Sequence, residues 1–140
     1  MSREQIRQDV NTAVQAIVTS YNLTVAKPLV VEYDNRIVVD TTTQVDPFLC
    51  VSLKFNDAFQ PELQQKLHRF MGFIQLSVAS KEGAGTAGAN KILDYFYPKL
   101  HATRLGTVRT LMADVMPDRP HLGWIYQTMA IPFWSDQLNA

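Results

Sequence analysis

Hydrophobic residues near the start of the chain recur at helical spacing. Ile6, Val10, Ala13, Val14, Ile17 and Tyr21 share one side of a 3.6-residue repeat, with Arg, Gln, Asn and Asp between them. Ser2 followed by Gln5 has the spacing of a capping box, so a helix is predicted from about Arg3 to about Ser20. Two short β-branched runs come next, Leu29 to Tyr33 and Arg36 to Asp40. Asp34-Asn35 between them suits a tight turn and predicts a small hairpin. Thr41 to Asp46 reads as an extended polar loop. From Pro47 the pattern changes to strict alternation, with Leu49, Val51, Leu53 and Phe55 on one face and Phe48, Cys50, Ser52 and Lys54 on the other. That is the signature of a half-buried strand.

Asn56 to Gln65 carries Pro61 and scattered polar groups, and reads as a crossing between strands. Alternation resumes over His68 to Val78, with Phe70, Ile74, Leu76 and Val78 inward. The loop KEGAGTAGAN leads into a second helix whose buried stripe is Ala89, Ile92, Leu93, Phe96 and Leu100, with Pro98 near its end. Thr107 to Val115 and Trp124 to Phe133 are predicted as the last two strands, joined by the turn-rich MPDRPHLG into a long hairpin. Sequence-adjacent strands with helices at only two points predict an α+β fold. Its sheet is mostly antiparallel, with an N-terminal helix and one internal helix packed on it.

At 140 residues, 46% hydrophobic and 19% charged, the chain has the size and composition of one folded domain spanning 1-140. Apolar runs reach only about four residues, far short of the ~20 that cross a bilayer, so no membrane partner is expected. The first twenty residues mix Arg, Glu and Asp into the apolar positions and do not read as a signal peptide; with Cys50 the single cysteine, a cytosolic setting is expected.

Each motif with chemical potential meets a simpler structural explanation. Gly83-x-Gly85-x-x-Gly88 matches the spacing of dinucleotide-binding loops, but the strand before it alternates instead of being buried on both faces, and the chain has too few βα units. A mobile strand-to-helix loop accounts for it. His68, His101 and His121 lie 33 and 20 positions apart, which puts no two imidazoles on one helical face for a metal. Ser52, Ser77 and Ser80 sit in VSL, LSV and ASK, unlike a nucleophile elbow. Cys50 alternates within a strand as a packing residue would. The expectation is therefore of a protein without a catalytic, metal or cofactor site.

Thirteen basic residues balance thirteen acidic ones. The balance is uneven along the chain, however: residues 27 to 65 sum to −3 and residues 66 to 119 to +4. Opposed blocks of this kind suit two unlike faces of one subunit that meet head to tail. The expected contacts place Asp34, Asp40 and Asp46 on one side and Lys81, Arg104 and Arg109 on the other. Pro132 has no N–H to give to a ladder, which predicts a sheet edge for the last strand. Trp124, Tyr126, Phe133 and Trp134, with the tail to Ala140, are then expected to touch a neighbouring subunit or another protein.

The stretch FMGFIQLSVASKEGAGTAGANKILDYFYPKL resembles the centre of the small tail terminator, or tail completion, proteins of long-tailed bacteriophages. In that family an outward strand leads through a Gly/Thr-rich loop to a helix that ends in a large aromatic. The ending GWIYQTMAIPFWSD resembles the family's last strand. Gly72, Phe73, Val78, the loop Gly83 to Gly88, Phe96, Trp124, Ile131, Pro132 and Phe133 carry the likeness, which spans about Phe48 to Asp136. Residues 27 to 46 depart from the pattern. The resemblance implies a structural virion protein that forms a ring, usually a hexamer, on the head-proximal end of the tail tube. It would stop addition of tube protein, meet the head-completion or connector proteins, and let DNA pass without specific binding. The setting it implies is the host cytoplasm during assembly and then the virion.

Two other readings compete. One is a small-ligand-binding or enzymatic α+β domain with a pocket lined by Phe70, Phe96 and Trp124. The other is a DNA-contacting connector using Lys81, Lys91, Lys99, Arg104 and Arg109.

Overall fold

The computed structural model describes residues 3–25, 29–33, 48–56, 67–81, 83, 87–121 and 123–138. Helix α1 spans Arg3–Asn22, two residues past the expected end, and buries Ile6, Val10, Val14, Ile17, Val18 and Tyr21. The side-chain amide of Gln5 donates to Asp9 Oδ1 at 3.0 Å. Ser2 lies outside the described residues. Strand β1 (Val30–Tyr33) runs parallel to β2 (Phe48–Phe55), pairing Val30 with Phe48 through Tyr33 with Val51. The predicted return arm, Arg36 to Asp40, lies outside the described residues, as do the loops at 41–46 and 57–65.

Strand β3 (Leu67–Lys81) is antiparallel to β2 on one side and, over fifteen residue pairs, to β8 (Trp124–Leu138) on the other. Helix α2 (Ala87–Leu100) joins the two halves of the chain. It buries Ala89, Ile92, Leu93, Phe96 and Leu100, the stripe that its 3.6-residue spacing predicts. Pro98 is accommodated inside its final turns.

The last hairpin is less regular than its sequence suggests. Thr107 to Val115 is not one strand. A two-residue β4 (Arg104–Leu105) turns through Gly106 into β5 (Val108–Thr110). The chain then leaves the ladder, and β6 (Asp114–Val115) and β7 (Arg119–His121) return to β8 in short pieces. The interruption has a local cause. Pro132 offers only its carbonyl on this side, which accepts from Leu111 N at 2.8 Å, so the facing strand finds no donor there. The chain bends away, and Ala113 N donates instead to His101 Nδ1 at 3.1 Å.

The same geometry corrects the expected edge. The sheet order is β1-β2-β3-β8-β5-β4, with β6 and β7 also on β8, so Trp124 to Trp134 lies inside the sheet with neighbours on both sides. Proline is tolerated there because its missing N–H faces the break at 111–113.

Both helices cover one face of the sheet. Leu49, Val51, Leu53, Ile74, Leu76, Val78, Met129, Ile131 and Phe133 point into that layer. Gly72 stands between Phe55 and Phe133 in the register. Their rings meet edge to face across it at 5.9 Å. A Cβ at Gly72 would lie 2.0 Å from the carbonyl oxygen of Lys54, so the close strand approach and the ring contact both require glycine. Gly72→Ala is expected to destabilise the fold by about 1–3 kcal/mol, as overpacking does, read as a lower denaturant midpoint. An unchanged midpoint would contradict this account of the strand crossing.

Candidate functional site

Along β3 and β8 the residues that alternate with the core layer form a second face, helix-free among the described residues. At one end of this face Phe48, Ala79 and Trp124 make a small buried cluster, with Val30, Cys50 and Tyr126 against it. The Phe48 and Trp124 rings meet edge to face at 4.9 Å. Trp124 therefore anchors β8 to β2 across β3. It lies on the opposite face from Phe96 and Phe70, so these three residues do not line a common pocket. Cys50 Sγ approaches Glu32 Oε2 at 3.9 Å. Burial, with the Glu32 charge and hydrogen bond added, pushes the thiol up to about 12, so it stays protonated and unreactive at neutral pH. Burial likewise raises the Tyr126 phenol.

The middle of the face is partly roofed by the β6–β7 arm. Gln75, Ser77, Tyr126 and Thr128 form a shallow polar floor beneath Met116, Pro117 and Arg119. Ser77 and Thr128 share a hydrogen bond of 2.9 Å across the central strands. Leu111, Met112, Val115 and Met116 of the arm are exposed large apolar residues.

At the far end a row of cationic and aromatic side chains crosses four strands. Arg69 on β3 faces Asp136 on β8 and donates two bonds to its carboxylate, at 2.6 and 2.8 Å. Those bonds hold the Asp136 carboxyl below its ordinary value. The Arg69 guanidinium also lies 4.6 Å from the Trp134 ring centroid, and Arg109 on β5 lies 5.9 Å from the same ring. Arg104 on β4 pairs with Arg109 in the register. Lys81, grouped with these two by charge, sits beside Trp124 at the other end of β8, roughly 33 Å along the strand. The basic side expected of the sequence is thus divided. Asp34, Asp40 and Asp46 lie outside the described residues, so the acidic side has no described position.

The β4–β5 hairpin is held from the helix-bearing face. Asp9 on α1 accepts from the Thr107 amide at 3.0 Å and the Thr107 hydroxyl at 2.5 Å. Gly106 takes φ 62° where a Cβ would meet the Asp9 side chain at 2.8 Å. Sequence reasoning missed this clasp because Asp9 and Thr107 are far apart in the chain and neither belongs to a motif.

The tail is part of the fold. Ser135 is fully buried and its hydroxyl donates to the Thr107 carbonyl at 2.8 Å, while Asp136 locks Arg69. Deleting residues 135–140 would therefore disturb the subunit itself, not only a contact it makes. The dinucleotide-like loop is flanked by the wrong topology, since both neighbours of β3 are antiparallel to it. Gly83 forms a turn with φ 86°, Gly88 lies in the first turn of α2, and Gly85 is outside the described residues. Among the described residues no group of three or more His, Cys, Asp or Glu is placed to hold a metal ion. Nor is any helix long and apolar enough to cross a membrane.

No protein-family model matches the chain, and no curated protein does. A solved structure that carries no functional name superimposes over 96% of this chain and 97% of its own with a TM-score of 0.67, at 11% sequence identity. The likeness is one of fold alone.

Burial raises the Asp9 carboxyl, but the hydrogen bonds from Thr107 and Gln5 outweigh it, leaving the group below its ordinary value of 3.8. The clasp therefore stabilises above that value and is lost as pH falls through the lower folded-state one. Asp9→Ala is expected to cost about 1 kcal/mol at neutral pH, discounted for its partial exposure. The gap to the parent should close below about pH 4, measured by urea melts across pH. A gap that persists unchanged into acid would contradict the charged clasp.

Proposed function

We propose that this chain is a tail terminator subunit of a long-tailed bacteriophage, assembling as a ring on the head-proximal end of the tail tube. Ring formation would end tube growth and present a surface to head-completion proteins, with DNA passing through the lumen. The observation that carries this reading is the two-stranded end of the β3–β8 pair. Beyond the last β2 pair at Gly72 and the last β5 pair at Trp134, Leu67–Phe70 and Ser135–Leu138 continue as a two-stranded ribbon about 13 Å long. Among the described residues no third strand is in register with it. Two strands alone are marginal in water, and an open border is a template for a further chain. A subunit that completes its sheet on a neighbour or on the tube end uses both properties.

Further support comes from the residues that carry the family resemblance. Gly72, Phe73 and Val78 fall on β3, Phe96 on α2, and Trp124, Ile131, Pro132 and Phe133 on β8, the order of elements the family has. The exposed apolar side chains of the arm, Leu111, Met112, Val115 and Met116, give a second surface suited to protein contact.

The test is assembly. Purified chain added to growing tail tubes should appear as a ring at one end by electron microscopy and arrest elongation, and native mass spectrometry should give a closed oligomer. Tubes of unchanged length together with a strictly monomeric chain would overturn the proposal.

A further inference from the structure

The row of side chains at the ribbon's base is more than a structural brace. Arg104 and Arg109 are exposed, and among the described residues neither forms an ion pair. The carboxylate in the row, Asp136, is already engaged by Arg69 in a two-point bond. Asp9 reaches Thr107 from the opposite, helix-bearing face. Three guanidiniums against one carboxylate leave a surplus of two positive charges among the described side chains of this row, on a chain whose net charge is zero. Trp134 lies near two of those guanidiniums, Arg69 and Arg109, as a cation–π partner at the centre of the row. Between Arg104, Arg109, Thr107, Trp134 and Asp136 lies an open hollow of about 280 Å³, roughly nine water volumes.

We infer that this row binds the phosphate backbone of a nucleic-acid strand. The geometry decides between kinds of anion. A single small anion is retained by an enclosed site with convergent backbone N–H groups, whereas this hollow is open and its donors lie in a line across strands spaced about 4.8 Å apart. A line of arginines meets successive charges on a polyanion, and each contact made releases counterions. Arginine also matches phosphate by its planar fork of donors, a geometry lysine does not supply. The inference does not depend on ring assembly, since binding by an isolated subunit is sufficient for it.

The experiment is fluorescence anisotropy with a labelled single-stranded oligonucleotide over a salt series, using the parent, Arg104→Gln with Arg109→Gln, and Arg7→Gln on α1 as the charge control. Circular dichroism checks that each variant is folded. The parent should bind at low salt, and the double variant should bind about tenfold more weakly with a salt slope smaller by about 1.4 for two lost contacts. Arg7→Gln should match the parent. The inference is overturned if the parent does not bind, if the double variant keeps the parent slope, or if Arg7→Gln weakens binding equally. Competition separates the sources: displacement by inorganic phosphate alone at millimolar concentration would indicate a small-anion site. Displacement by poly-glutamate of matched length as readily as by unlabelled oligonucleotide would indicate an acidic protein partner. Either result contradicts a nucleic-acid strand.

Discussion

Fifteen consecutive residue pairs join β3 to β8, and the rest of the structure is arranged around that ladder. Strand β2 pairs with β3, while β5, β6 and β7 pair with β8; β1 and β4 are one step further out. The ladder is non-local, because α2 and the whole broken arm lie between its strands. Closing it costs more chain entropy than the sequence-adjacent β2–β3 pairing. Its two faces then diverge. One takes both helices and the large core cluster, and the other carries, among the described residues, the small Phe48, Ala79 and Trp124 cluster at one end.

That division explains where chemistry can reside. Residues on the helix-bearing face are committed to packing, so Ile74, Leu76, Met129 and Ile131 have no freedom to meet a partner. The alternate residues of the same strands stay accessible at no cost to the core. Trp134 therefore sits on the central ladder, Arg69 and Asp136 bridge the two strands that continue it, and Arg109 and Arg104 extend the row on a hairpin pinned from behind by Asp9. A surface built on central strands holds its geometry better than one built on loops. The two-stranded ribbon and the cationic row adjoin each other, so contacts at one would be felt by the other through the Arg69 and Asp136 bond.

Local periodicity made much of this legible. The stripes of α1 and α2 and the inward residues of β2 and β3 follow from spacing of 3.6 and 2.0, since burial of one face dictates both. What periodicity lacks is the identity of each strand's neighbour. Pro132 suggested an edge because a proline has no donor, yet the structure leaves the gap in the opposing strand instead. The stretch from Thr107 to Val115 looked continuous because Val108 and Thr110 alternate correctly, and only the Leu111 bond to Pro132 and the Ala113 bond to His101 reveal the break. The cationic row was legible only as charge: Arg104 and Arg109 stood in the basic block, but Lys81 did too, and sequence distance does not say which charges share a face. Asp9 carried no signal at all, being one polar residue on an amphipathic helix.

Native-state hydrogen exchange tests the central claim, that the β3–β8 ladder is the element on which the fold depends. The account predicts that amides within Ile74–Val78 and Gln127–Ile131 exchange most slowly, through global unfolding, with α1 and the β6–β7 arm opening at lower free energy. Slowest exchange in α1 or α2, with the ladder opening first, would contradict it.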